Sequence, residues 1–199
     1  LKLGSVNSKI KGEIESFVFN NYNYKNISLN ASINNTLIDG QLLIDDPNAK
    51  LSYSGLIDLN DDKSILNFRS DIEKIDLKKL GLYNKNLSVS GKIASDFSLP
   101  LSSNEKGSIQ FSHVLMYNQV DSFYFDSLNI NAAKSFDSIF VSIDSDFFEL
   151  DLQGKFGIRD LPLAVESLVN NYYSIDSFTT DFKSESLSVR GNLATLAPL

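Results

Sequence analysis

The sequence predicts an all-β protein, and three observations lead to this prediction. Apolar and polar residues alternate along most of the chain, turn-forming residues recur roughly every eight to twelve positions, and one short motif is repeated. The motif is apolar-x-apolar-x-Gly-x-apolar, and it occurs around Gly55, Gly91, Gly154 and Gly191. Gly55 and Gly154 are 99 positions apart, and Gly91 and Gly191 are 100 apart. We therefore expect one continuous body over residues 1–199, built from approximate tandem repeats 1–105 and 106–199.

Alternation predicts the strands in chain order. In the first repeat they cover 6–14, 27–33, 38–44, 50–59 and 66–72, with an aromatic-rich stretch over 17–24. The predicted turn signals are Asn20-Asn21 together with Asn23, then Asn34-Asn35, Asp45-Asp46-Pro47-Asn48 and Asn60-Asp61-Asp62, because Asn tolerates positive φ and proline cannot donate to a strand ladder. In the second repeat the strands cover 109–114, 123–132, 139–147 and 150–158.

Two segments break the alternation and predict a short helical turn in each repeat. Residues 75–80 space their apolar side chains as a helical turn does, and Gly81 is placed to cap it. Residues 161–173 also show helical spacing, with Pro162 allowed in a first turn.

The glycines of the motif lie in phase with the apolar residues, so both belong to one face of each strand. Glycine weakens a strand, and its recurrence there indicates a strongly curved sheet with a concave, half-open apolar face. The alternative is that the glycines let two sheets of a sandwich approach closely. The candidate residues of this face are Leu51, Tyr53, Ile57, Leu59, Leu87, Val89, Ile93, Phe97, Ile109, Phe111, Leu128, Ile130, Ile139, Val141, Ile143, Leu150, Leu152, Phe156, Leu187, Val189 and Leu193.

Composition narrows the function classes. The formal net charge of -7 and the lack of a basic cluster argue against a nucleic-acid partner. Cysteine is absent, so the chain has no disulfide, thiol chemistry or cysteine-ligated metal. The sequence has no run of eighteen apolar residues and no leader pattern, and it starts at Leu1. We expect a fragment of a longer protein whose anchor lies outside it.

The residues predict neither an enzyme nor a cofactor. His113 is the only histidine, and it lies within a predicted strand, where an exposed structural role is expected. Asp45-Asp46 and Asp144-Ser145-Asp146 lack the spacing of a calcium loop. The glycines stand singly inside strands, which excludes a phosphate-binding loop. The many aromatic residues could stack on sugars, but β-propensity alone accounts for them.

Residues 24–82 resemble repeat segments of the TamB and AsmA-like proteins of Gram-negative envelopes. The resemblance rests on the strand K-N-I-S-L-N, the turn I-D-D-P-N, the strand L-S-Y-S-G-L-I-D-L and the turn I-D-L-K-K-L-G-L. The second repeat keeps the strand pattern, but it loses the Asp-Asp-Pro-Asn turn and replaces the Leu-Lys-Lys-Leu segment.

The resemblance implies a long, curved and twisted antiparallel sheet folded into a U-shaped trough. Such a protein would be anchored in the inner membrane and cross the periplasm. It would carry phospholipid toward the outer membrane and support outer-membrane biogenesis beside a barrel of the Omp85 class. The candidate residues above would then line a groove for phospholipid acyl chains.

Two other functions stay open on the residues alone. The first is a structural or adhesive β-solenoid or β-sandwich, whose apolar face would be a sealed, dry core. The second is a carbohydrate-binding β domain that uses acidic residues and tyrosines, and a polar cleft with two facing carboxylates would support it.

Overall fold

The computed structural model describes residues 7–60, 62–155 and 187–193, and these residues form one open antiparallel sheet. Each strand pairs with the strands next to it in sequence, and the first and last strands lie at opposite ends of the sheet. The eleven strands are β1 (Asn7–Phe19), β2 (Tyr22–Asn34), β3 (Leu37–Asp46), β4 (Ala49–Leu59), β5 (Ser64–Asp76), β6 (Ser88–Leu99), β7 (Lys106–Tyr117), β8 (Ser122–Ser135), β9 (Ser138–Ser145), β10 (Phe148–Gly154) and β11 (Leu187–Leu193). The prediction of an all-β antiparallel sheet is confirmed.

The turns between the first strands contain the predicted turn-forming residues, but two of them have different bounds. Asn20 and Asn21 connect β1 to β2 with φ values of 49° and 62°, as a tight two-residue hairpin turn requires. The next turn is Asn35-Thr36, one residue later than predicted, because Asn34 still pairs with Leu37. The last residue of β3 pairs with the first residue of β4, so the loop between them is only Pro47 and Asn48. Asp45 and Asp46, predicted as part of this turn, still pair with Lys50 and Ala49 and belong to β3.

The first predicted helix is only a single turn, and no helix occurs within the described residues. The Leu80 N–H donates to the Asp76 carbonyl at 3.1 Å, and the Leu82 N–H donates to the Leu77 carbonyl at 2.9 Å. Gly81, at φ 69°, ends the turn as predicted. The helix cannot extend because β5 keeps pairing through Asp76, which leaves four residues before the glycine. The second predicted helix, 161–173, lies outside the described residues.

The two Gly-containing strand pairs differ in the strands described between them, and the tandem repeat stays a prediction. β5 lies between β4 and β6, whereas β10 pairs directly with β11 through Leu150 and Gly191. The residues that would correspond to β5 lie outside the described part of the chain, as do residues 156–158 of the last predicted strand.

One contact does recur 100 positions apart. The Asp46 carboxylate accepts a hydrogen bond from the Lys25 main-chain N–H of β2 at 3.1 Å. The Asp146 carboxylate, just after β9, likewise accepts from the main-chain N–H of Asp126 in β8. In both hairpins a carboxylate thus satisfies a main-chain donor just beyond the last paired residues of the ladder.

The core lies on one face of the sheet. Along β10, Leu152 and Gly154 are buried while Asp151 and Gln153 are exposed, which is the expected alternation. A cluster of buried side chains consists of Phe97, Leu101, Ala132, Ile139, Val141 and Leu152, and we call it the sealed cluster.

Candidate functional site: an apolar face across the sheet

The cross-strand register assembles the apolar residues into continuous rows. Residues that pair in an antiparallel ladder share a face, so a chain of pairs traces one row across the sheet. One row runs along Gly12, Leu29, Leu42, Tyr53, Ser70, Ile93, Phe111 and Leu128. The next contains Ile10, Ala31, Gly40, Gly55, Phe68, Ser95, Ile109, Ile130, Ile143 and Leu150. We call the surface that carries these rows the apolar face.

Most of the candidate residues belong to this register. Ile57 pairs with Leu66, which pairs with Phe97. Ala132 pairs with Val141, which pairs with Leu152. Leu87 lies immediately before β6, and Phe156 lies outside the described residues. The register places Val189 opposite Leu152. Leu187 and Leu193 lie at the ends of β11, opposite Gly154 and Phe148.

The apolar face divides into two regions by exposure. In the sealed cluster the side chains are almost fully buried; Leu152 and Val141 are each 2% exposed. From β3 to β7 the face carries large apolar side chains that stay partly exposed, and we call this region the open stretch. Its members include Leu42, Leu51, Tyr53, Ile57, Phe68, Ile93 and Phe111.

Few polar groups interrupt the apolar face. The buried Ser95 hydroxyl donates to the Leu66 carbonyl at 2.8 Å, so its polarity is satisfied by the main chain. The Tyr53 hydroxyl is buried without a hydrogen-bond partner among the described residues, while its ring packs 5.5 Å from Phe68. Burial raises the pKa of Tyr53, and the Asp39 carboxylate raises it further. Tyr53 is therefore a neutral, largely apolar contributor to the face at ordinary pH.

A buried carboxylate closes one end of the face. Asp46 is 3% exposed, accepts from the Tyr22 hydroxyl at 2.5 Å and accepts from the Asn48 N–H at 2.8 Å. Burial opposes its ionisation, but the hydrogen bonds from Tyr22 and from the main chain outweigh burial and lower the pKa of Asp46. Burial and the bond to Asp46 raise the pKa of Tyr22. The pair is a structural clamp between β2 and β3.

The glycines are needed for close packing within the sheet rather than to leave space above the apolar face. Gly55 has φ 141°, and a Cβ there would meet the Asn67 carbonyl oxygen and the Phe68 Cα of the neighbouring strand. A Cβ at Gly107 would lie 2.8 Å from the Phe97 ring, which therefore packs over this glycine. Close approach of a neighbouring strand or ring explains these positions.

Sequence reasoning missed several buried residues that lie outside regular alternation. Leu80 in the turn and Leu101 in a loop are each 2% exposed, and loops carry no periodic signal. Val114 follows an irregularity at His113, whose φ is 52°. The extra residue there shifts the alternation by one position, so counting by twos misplaces Val114. His113 itself is exposed, as expected, and its Nε2 lies 3.3 Å from the Asp126 carboxylate.

The opposite face of the sheet is polar and carries a shallow groove of about 730 Å³. One of its rows contains Asp96, Ser108, Asn131, Ser142, Asp151 and Arg190. Asp96 and Asp151 are four strands apart, about 19 Å along the sheet, which is too far for the paired carboxylates of a glycosidase.

Within the described ranges no three metal-ligating side chains come together, and no helix is long and apolar enough to cross a membrane. No protein-family model, curated protein or solved structure matches the chain. We therefore argue the function from the geometry of the two faces.

Proposed function

We propose that the apolar face is a binding path for the acyl chains of phospholipid, within a trough formed by curvature of the sheet. The observation that supports this most is the open stretch. Five neighbouring strands each place large apolar side chains on the same face, and most of these side chains remain partly exposed. An apolar surface of this kind marks a site for an apolar partner.

The dimensions of the open stretch suit an acyl chain. Strands lie about 4.8 Å apart, so β3 to β7 span roughly 19 Å along the sheet. Each methylene removed from water contributes about 0.8 kcal/mol. Each strand from β3 to β7 places at least one large apolar side chain on this face, so apolar contacts are available at every step along the path. A bound chain could slide from strand to strand.

A fully sealed core fits the open stretch less well. In a sealed sandwich the central residues of both sheets are buried, as they are in the sealed cluster. Ile93 and Phe111, in the middle of the sheet, are only partly buried. The described residues contribute one sheet and no second layer above these side chains.

The wider setting of the proposal follows the resemblance to TamB and AsmA-like proteins. The chain would be a periplasmic segment of an envelope-spanning protein with an inner-membrane anchor outside residues 1–199. Its two approximate repeats would together form one trough. The protein would move phospholipid toward the outer membrane and act beside an Omp85-class barrel. It would need no cofactor and catalyse no reaction.

Photo-crosslinking tests the proposed path. The protein is mixed with phospholipid that carries a diazirine in one acyl chain, irradiated, and mapped by mass spectrometry. We expect adducts on the apolar face, at residues such as Leu51, Ile93 and Phe111. Adducts spread equally over both faces, or confined to the polar face, would contradict the proposal.

Two variants on β6 provide a matched pair. Ile93 is on the apolar face and pairs with Phe111, whereas the next residue, Ala94, pairs with Arg69 and Gln110 on the polar face. Ile93→Asp should reduce labelling of the open stretch severalfold, while Ala94→Asp should leave it unchanged. Thermal unfolding of both proteins checks that the sheet is intact. Equal labelling of the two variants would contradict an apolar path at Ile93.

The polar groove supports carbohydrate binding as a second candidate. Its wall combines Asn131, Asp151 and Arg190 with the partly exposed ring of Phe140. Such a mixture of hydrogen-bonding groups and an aromatic face is able to hold a sugar. Saturation-transfer NMR with neutral oligosaccharides, compared between the wild type and Phe140→Ala, distinguishes this candidate from the lipid path.

A further inference from the structure

A second groove, of about 790 Å³, lies on the polar face at the start of β6. Its floor is formed by Ser88 and Ser90, which alternate in phase with the other residues of this face. Ser88 pairs with Asp76 of β5 on one side and with Tyr117 of β7 on the other. The segment 77–87, which connects β5 to β6, lines the end of the groove. The groove is therefore built by three neighbouring strands and one loop.

A bulge in each flanking strand shapes the groove. In β5 one extra residue lies between Ile72 and Ile75, which pair with Gly91 and Val89. In β7 the extra residue is His113. Bulges re-aim side chains and are frequent beside functional sites. Both bulges adjoin the same part of β6, so the two flanking strands are irregular at the groove.

The bulge in β7 brings apolar side chains to a polar face. Because the extra residue changes the alternation by one position, Leu115 and Tyr117 project from the same face as their partners on β6, which are Ser90 and Ser88. Leu115 is 39% exposed and Tyr117 is 46% exposed. They form an apolar wall of the groove, and an apolar wall beside a few polar groups is typical of a ligand site.

Both carboxylates that line the groove are already paired with lysines. The Lys50 Nζ lies 2.8 Å from the Glu73 carboxylate, and the Lys79 Nζ lies 3.3 Å from the Asp76 carboxylate. The Asp76 carboxylate also accepts from the Lys79 main-chain N–H at 3.1 Å. Neither carboxylate therefore neutralises the other lysines of the groove.

Two lysines of the groove supply positive charge for a ligand. The Lys78 ammonium has no hydrogen bond or ion pair within the described ranges. The Lys74 ammonium donates to the Pro47 carbonyl at 3.2 Å, so its charge is not paired with a carboxylate. The hydroxyls of Ser88 and Ser90 are likewise without a hydrogen-bond partner in the described part of the chain. The groove thus combines cations and hydroxyl donors with an apolar wall.

From this arrangement we infer that the groove binds a phosphate monoester that carries an apolar body. A phosphate monoester has about two negative charges at neutral pH and several strong acceptor oxygens, which suits a pair of ammonium groups and a pair of hydroxyls. A carboxylate has a single charge and fewer acceptor oxygens. The apolar body would lie against Leu115 and Tyr117. The site is on the opposite face from the proposed acyl path and does not depend on it.

NMR titration of the isotope-labelled protein with hexyl phosphate tests the site. We expect the amide signals of Ser88, Ser90 and Leu115 to shift. Hexyl phosphate should bind about tenfold more tightly than inorganic phosphate, because burial of about two methylenes contributes that factor. Hexanol, which has the apolar body without the charge, should bind at least about tenfold more weakly than hexyl phosphate, since it forms no charge-assisted hydrogen bond.

Two substitutions separate the charge from the apolar wall. Lys78→Ala should weaken the binding of hexyl phosphate and of inorganic phosphate about tenfold, since a charge-assisted hydrogen bond is lost. Leu115→Ser should weaken the binding of hexyl phosphate about fivefold and leave that of inorganic phosphate unchanged. Lys11→Ala, which removes the same charge from β1, should bind as the wild type does. Thermal unfolding checks that each variant is folded.

Vesicles distinguish the two sources of such a phosphate group. The wild type and Lys78→Ala are sedimented with phosphatidylcholine vesicles that contain or lack phosphatidic acid, whose headgroup is a phosphate monoester. Loss in Lys78→Ala of the sedimentation that depends on phosphatidic acid would assign the groove to a lipid headgroup. Equal sedimentation of the two proteins, with hexyl phosphate still bound only by the wild type, would assign it to a soluble ester. Either assignment agrees with a phosphate monoester site.

The titrations also define the results that would overturn the inference. Inorganic phosphate or hexanol that binds as tightly as hexyl phosphate would do so, because the site would then need only one of its two parts. Shifts confined to residues outside the groove would do so as well. An unchanged affinity of Lys78→Ala for hexyl phosphate would be equally decisive.

Discussion

The apolar face is divided into a sealed cluster and an open stretch. We therefore expect the same substitution to lower the free energy of unfolding by different amounts in the two regions. Leu152→Ala removes three carbon atoms from a side chain that is 2% exposed, a transfer term of roughly 2.4 kcal/mol. Its neighbours Val141 and Ala132 are held by the ladders of β8, β9 and β10 and cannot collapse into the space. The added cavity term brings the expected loss to about 3–4 kcal/mol.

Leu51→Ala is the matched variant in the open stretch. Leu51 is also a leucine on the apolar face, but it is partly exposed and lies outside the sealed cluster. Water can fill the vacated space, so no cavity forms, and the expected loss is about 1–1.5 kcal/mol.

Urea unfolding followed by circular dichroism measures both losses as shifts of the midpoint at constant slope. Equal losses of about 3 kcal/mol would mean that Leu51 is as well packed as Leu152, and they would contradict the distinction between the open stretch and the sealed cluster.

Three further substitutions test features of the ladder and the turn. Asp46→Asn should cost about 1–3 kcal/mol at pH 7, because it removes a buried, hydrogen-bonded charge. The pKa of Asp46 is lower in the folded protein than in the unfolded chain. Its contribution to the free energy of unfolding is therefore complete above the unfolded pKa of about 3.9 and is lost as the pH falls through the lower folded pKa. Gly55→Ala should cost about 1–3 kcal/mol through its positive φ and the adjoining strand. Gly81→Ala should cost about 1 kcal/mol, because the turn requires φ 69°.

The same unfolding titrations provide the controls. Gly12→Ala should be neutral or stabilise by about 0.4–1 kcal/mol, since nothing lies near its added methyl group. A Gly55→Ala protein as stable as Gly12→Ala would contradict the close approach of β5. For Asp46→Asn, the acid unfolding profile below pH 4 should be flatter than that of the wild type. A parallel profile would contradict the lowered pKa of Asp46.

Strand positions and the apolar face were predictable because they depend on local alternation. A residue such as Leu152 repeats the phase of Leu150, and the ladder preserves that phase across the sheet. The turn at Asn20-Asn21 was predictable for a related reason, since few residues adopt two successive positive φ values.

The rest depends on contacts that alternation does not encode. The burial of Asp46 needs Tyr22 and Asn48 from elsewhere in the chain, and its sequence neighbours give no sign of it. At His113 one extra residue changes the phase of the alternation between buried and exposed side chains. The sequence alone does not reveal this change, which becomes evident only from the burial of Val114. The close approach at Gly55 concerns a main-chain conformation, and the motif alone offered several reasons for a glycine.

The strictly sequential order of the strands has a consequence for how the chain folds and how it could change in length. Among the described strands, every new strand from β2 to β10 can pair with one that has just formed, so the loops to be closed along this part of the sheet are short. A hairpin such as β2–β3 can therefore form first and the ladder can grow outward by one strand at a time. Among the described strands, hydrogen-bonded pairing occurs only between neighbours in sequence, so stability accumulates largely by nearest-neighbour terms, as in a linear array. Insertion or loss of a hairpin would change the length of such a sheet while leaving every other pairing in place.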